Sequence, residues 1–139
     1  MHRLAELLKS ENDVQVVLSS SWVAKHGYRT VLDTLPSALS SRVVGATAPG
    51  NKRLRRLREE VPSRRDLLER DHLRREPDAV FLVDCDARYV PVQLREKALI
   101  VENGLWRAQD DTWVAIAERL KSLTLRGITA RRNKVQKSY

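Results

Sequence analysis

The sequence predicts an α/β fold: one domain with a parallel sheet and helices packed on its faces. Three observations carry this. The apolar runs at 14–18 (VQVVL), 80–83 (VFLV) and 98–101 (ALIV) are near-continuous, as in strands covered on both faces. Segments with apolar residues three and four apart lie between them, so strands alternate with helices, the order that gives parallel strands with crossover connections. The length, 139 residues, suits a single core.

Residues 3–10 place Leu4, Leu7 and Leu8 at helical spacing. "ENDV" ends that helix and leads to the strand at 14–18. Thr30, Val31, Leu32 and Leu35 predict a short helix that stops near Pro36. "RVVGA" at 42–46 reads as a brief strand, and "TAPGN" as a loop by its Pro-Gly pair. Residues 52–60 are highly charged, with Leu54 and Leu57 three apart. Residues 63–75 make a better helix: Ser63 can cap it, Asp66 stands three residues on, and Leu67, Leu68 and Leu73 mark an apolar side. "VFLVDCD" is the strongest strand, "ALIV" the next, with "ENG" as a turn. Residues 110–123 form an amphipathic helix, capped by Asp110 or Asp111, with Trp113, Ile116, Ala117 and Leu120 on one face. Trp22 reads as core or core edge, and Trp106, after a turn, as exposed. The expected domain is 1–125, followed by a basic, mobile tail at 126–139.

Composition sets limits. Charged residues are 32% and hydrophobic residues 42%, the balance of a soluble globular chain at its polar end. No apolar run approaches the ~18 residues of a membrane span. The start, "MHRLAELLKS", lacks the apolar stretch and small-residue site of a secretion signal. The single cysteine, Cys85, has no partner for an internal disulfide. A cytoplasmic location is expected. The net charge is +8, and the excess is local: residues 52–75 and 126–139 each carry +5. A partner bearing phosphate is one explanation, and a solvated helix face with a basic tail is the other.

Two places suggest chemistry. "VQVVLSSSWV" ends a buried strand on Ser19, Ser20 and Ser21, and open α/β sheets keep their ligands at the carboxyl ends of strands. "VFLVDCDARYV" sets Asp84 and Asp86 just past another strand, where two carboxylates can take a divalent cation through oxygen, or serve only as caps and turns. Acidic neighbours disfavour a reactive thiolate at Cys85. His2, His26 and His72 are scattered, without metal-ligand spacing. "APGNKR" lacks the spacing of a phosphate loop.

In order, "VVLSSSW", "SRRDLLER", "FLVDCDARYVP", "ALIVENGLW" and "DDTWVAIAERL" resemble the haloacid dehalogenase (HAD) superfamily. They most resemble the small HAD-like domain of Swiss Army Knife RNA-repair proteins, over roughly residues 4–123. The resemblance implies a Rossmann-like, three-layer parallel sheet and Mg²⁺-dependent phosphohydrolase chemistry. In such domains an Asp-x-Asp supplies the nucleophile and a general acid/base. A Ser or Thr holds the phosphoryl group, a Lys or Arg neutralises it, and an acidic pair binds Mg²⁺. Carried over, Ser19 resembles the hydroxyl, with Ser20 as a second choice. Arg64 resembles the cation, with Arg65 as its alternative. Asp84 and Asp86 resemble the metal pair, with Cys85 where relatives often have another acid.

The first motif departs from the pattern. The acids ahead of Ser19 are Glu6, Glu11 and Asp13, none at a strand end. The expectation is therefore a sheet truncated or degenerate at its N-terminal strand, and a domain incomplete or inactive on its own. Either the strand precedes this sequence, or its neighbours have closed up, or a second copy or another chain donates it. "VDCDARY" as a permuted first motif fits less well, because Ala87 stands where Gly usually follows. The expected ligand is a phosphorylated substrate or nucleic-acid phosphate. The competing classes are a noncatalytic module for RNA or DNA backbone and a protein-interaction domain.

Overall fold

The computed structural model describes residues 1–19, 21–47 and 63–137. The charged segment at 52–60, the Pro-Gly loop and Ser20 lie outside the described residues. Helix α1 (His2–Leu8) leads into strand β1 (Val16–Leu18). Helices α2 (Ser21–His26), α3 (Tyr28–Thr34) and α4 (Ser37–Ser40) follow, then strand β2 (Val43–Ala46). The second half holds α5 (Arg64–Arg75), β3 (Leu82–Asp84), β4 (Ala98–Ile100) and α6 (Asp110–Lys137). Gly27, at φ 91°, makes the break between α2 and α3 in a conformation that L side chains avoid.

The strands pair in parallel, β1 with β2 and β3 with β4, as the near-continuous apolar runs predict. Val16 faces Val43 and, past a register shift, Val17 faces Gly45; Leu82 faces Ala98 and Asp84 faces Ile100. Among the described residues the sheet is two separate pairs, with no ladder joining them. The guanidinium of Arg42, ahead of β2, donates to the carbonyls of Glu11 and Val14 and so ties the approach to β1 onto its neighbour.

Both pairs rest on one apolar layer. Ala5 and Leu8 of α1, Leu39 of α4, and Trp113, Ile116 and Leu120 of α6 form a buried cluster. Val16 of β1, Phe81 just before β3 and Leu99 of β4 pack against it. Gly45 of β2 looks onto a different element. There α5 takes over: the Arg75 guanidinium lies against Gly45, in the space a Cβ would need. The opposite end of α5 meets the turn after β3. The helix therefore reaches from β2 to β3, and the result is three layers. It ends on Glu76, left-handed at φ 46°, just before Pro77.

Several expectations change in the structure. Trp22 is 57% exposed and its ring meets that of His26 at a tilt on the surface of α2, so it is not core. Trp113 is buried and Trp106 exposed, as predicted. The helix from Asp110 runs through residue 125 without a break, and residues 126–137 continue it. Asp78 holds that extension, accepting from Arg131 Nε (3.0 Å) and Lys134 Nζ (2.8 Å). No helix among the described residues is long and apolar enough to cross a membrane.

Candidate functional site

The site begins with a helix start. Ser63 Oγ accepts the Asp66 N–H at 3.2 Å, capping α5 and fixing Arg64 as its first residue. A cation at a helix N-terminus opposes the helix dipole, so the helix gains nothing from an arginine there. The gain comes from across the layer. Arg64 Nη2 donates to Asp84 Oδ2, and the guanidinium lies over the Tyr89 ring, 4.2 Å from its centroid. Burial works to lower the Arg64 pKa, but the bond to Asp84, with the charges of Asp84 and Cys85, outweighs it and raises the value.

Asp84 is the last residue of β3, and its side chain is only 5% exposed. Its second oxygen, Oδ1, accepts the backbone N–H groups of Cys85 (2.7 Å) and Asp86 (3.1 Å). The carboxylate thus closes the turn leaving the strand while it pairs with Arg64. Cys85, between the two acids, is exposed.

Asp86 does different work. Its Oδ1 accepts the Arg88 N–H at 2.9 Å and so starts the 3₁₀ turn at Ala87–Tyr89. The Arg88 guanidinium grips the same carboxylate in a fork, Nε at 3.0 Å and Nη2 at 2.7 Å from Oδ2. These bonds hold the Asp86 carboxyl down at about 2, and the Arg88 pKa is raised in turn by Asp86.

Of the two candidate arginines, Arg64 is the one brought to Asp84; Arg65 is exposed. Ser19 directly follows β1, at the corresponding end of the other strand pair. Its Oγ is enclosed and has no hydrogen-bond partner among the described residues, and Arg64 Nε is in the same state. No hydrogen bond links Ser19 to the Arg64–Asp84 pair. Tyr89 and Arg88 were missed in the sequence. "DARY" does carry a signal for one of them, since an Asp accepting from the residue two ahead is a common turn and puts that residue's side chain within reach.

The expected Mg²⁺ was assigned to Asp84 and Asp86. Such an ion needs octahedral oxygen ligands at ~2.0–2.1 Å. Here one Asp84 oxygen accepts two N–H groups and the other a guanidinium, while Asp86 is held by Arg88. Among the described residues no group of three His, Cys, Asp or Glu side chains gathers to hold a metal. As arranged, these carboxylates do not fit the ion.

A search of curated proteins found no match, and neither did a search of solved structures. One family, described as "HAD domain in Swiss Army Knife RNA repair proteins", matches residues 1–109. The match spans both strand pairs and every residue around Arg64 and Asp84, and the chain belongs to this family of HAD domains.

Proposed function

We propose that the chain is a HAD-like domain of hydrolase type that holds a phosphoryl group at the carboxyl ends of its strands and does not turn it over alone. The observation that supports this reading is the Arg64–Asp84 pair, a guanidinium fixed at the end of a parallel strand with donor capacity to spare. Ser19 Oγ offers a hydroxyl to a phosphoryl oxygen, and Arg64 offsets the charge. Both carry an enclosed polar atom without a partner. A buried group left unpaired costs about 1–3 kcal/mol, which a phosphoryl oxygen received there would offset.

Turnover through the aspartyl-phosphate of HAD chemistry needs a carboxylate nucleophile. Glu6 lies on α1, Glu11 accepts from Thr124 Oγ1 at 2.6 Å, and Asp13 sits in the turn ahead of β1. None ends a strand. HAD domains generally use Mg²⁺, but Asp84 and Asp86, engaged with Arg64 and Arg88, do not present themselves to it. The nucleophile, in this reading, comes with a strand from outside β1–β4. A family described by RNA repair supports reading the phosphate as one carried by nucleic acid.

Fluorescence anisotropy with an RNA oligonucleotide tests this. The phosphate-ended form should bind several-fold tighter than the hydroxyl-ended form. Ser19→Ala and Arg64→Gln should erase the difference, and p-nitrophenyl phosphate should not be hydrolysed. Equal affinity for the two ends would remove the phosphoryl pocket. Hydrolysis by the chain alone would remove the claim that it cannot turn over.

A second reading, a noncatalytic module for RNA or DNA backbone, is favoured by the exposed Arg126 and Arg132 on α6. It predicts binding indifferent to the end group, with a steep fall as salt rises.

A further inference from the structure

We propose that Arg64 is a built-in counter-ion for Asp84 that takes the place of a divalent cation, so that this site excludes Mg²⁺ and receives its ligand on a guanidinium. The inference rests on the phosphoryl-holding reading only for the ligand. What it says about cations stands on the pair itself.

Four features support it. Both oxygens of Asp84, whose side chain is 5% exposed, are engaged: Oδ2 takes Arg64, and Oδ1 takes the N–H groups of Cys85 and Asp86. An incoming dication would have to expel Arg64, whose side chain is 22% exposed, and leave that charge without its carboxylate. Arg64 is also held independently of Asp84, by the Ser63 cap that starts α5 and by the Tyr89 ring. The neighbouring positions offer a hard cation little. Cys85 presents sulfur, a poor ligand for Mg²⁺, and Asp86 is turned toward Arg88.

The guanidinium still has something to give. Arg64 Nε is shut away from water and donates to nothing among the described residues. An oxyanion accepting from that N–H would meet a positive charge already neutralised in part by Asp84. Its binding would then need no metal bridge.

Mn²⁺, which takes the same ligands as Mg²⁺ and has an electron paramagnetic resonance signal, tests this without reference to catalysis. On addition of excess protein, the wild type should leave the six-line spectrum of the free ion unchanged. Arg64→Gln, which frees Asp84, should diminish that signal with a dissociation constant at least tenfold lower than any wild-type value. Wild-type uptake of Mn²⁺ that Asp84→Asn abolishes would overturn the proposal. A folded Arg64→Gln that takes up no Mn²⁺ would overturn it too, because the guanidinium would not be what keeps the cation out. Should that variant fail to fold, the wild-type measurement decides alone. Failure of the phosphoryl reading shows in the RNA titration and leaves these spectra untouched.

Discussion

Arg131, deep in the second half of α6, donates to Asp78, which lies between α5 and β3. Lys134 adds a second bond to the same carboxylate, and the two together, Lys134 first, hold the Asp78 carboxyl below its ordinary range. Asp78 thus ties the basic end of the last helix to the body of the domain. Asp78→Asn should raise amide hydrogen exchange at 126–137 and leave 110–123 protected, with little change in melting temperature. Unchanged exchange at 126–137 would mean that the extension is held by something else.

The Arg64–Asp84 pair should behave as a buried one. Removing one partner of such a pair strands the other charge and costs about 3–5 kcal/mol. Asp84→Asn belongs near the lower bound, about 3 kcal/mol, because Arg64 keeps Tyr89 beneath it and some contact with water. Urea denaturation measures it. A loss below about 1 kcal/mol would place this pair among exposed ion pairs, against the burial seen here.

Asp86 gives a pH signature. Its folded-state pKa of about 2 lies below the ordinary aspartate value of ~3.9. The folded state therefore holds its proton less well than the unfolded chain. The stability contributed by the Asp86–Arg88 contact is complete above about pH 4 and is lost as pH falls through about 2. The Asp86 side-chain carboxyl, followed by NMR, should titrate near 2, and Arg88→Ala should move the midpoint up. A wild-type midpoint near 4 would show that the fork does not persist in solution.

Ile116 is fully buried at the centre of the cluster that joins α1, α4 and α6. Ile116→Ala should cost about 2–5 kcal/mol, through lost apolar contact and the void left behind. Val114, one turn-face away and 58% exposed, is the control: Val114→Ala should change little. Equal losses at both positions would contradict the assigned core face.

Much of this was legible because the signals were local. Ser63 and Asp66 announced the start of α5, and Trp113, Ile116 and Leu120 the buried stripe of α6. Trp22 misled because size and hydrophobicity do not say which way a short helix turns; α2 buries Val23 and leaves its neighbour outside. The helix over 126–137 was not legible because its anchor, Asp78, is distant in sequence and no periodicity records it. At the site, the types of Arg64, Asp84 and Asp86 were visible. Their engagements were not: whether an aspartate meets a metal, a guanidinium or its own backbone depends on which arginine the fold carries to it. Tyr89 escaped notice because its role, a ring under Arg64, exists only once α5 lies over the turn after β3.

The two unlinked strand pairs have a mechanical consequence. Each ladder spans a contiguous stretch of chain, 16–46 and 82–100, and side-chain contacts unite them: the apolar cluster of α1, α4 and α6, and α5 reaching from β2 to β3. Hydrogen-bonded ladders resist shear, whereas apolar packing parts at low force. Stretched between the halves, the molecule should yield along that seam first, and each half should keep its own pair of strands after the seam has opened.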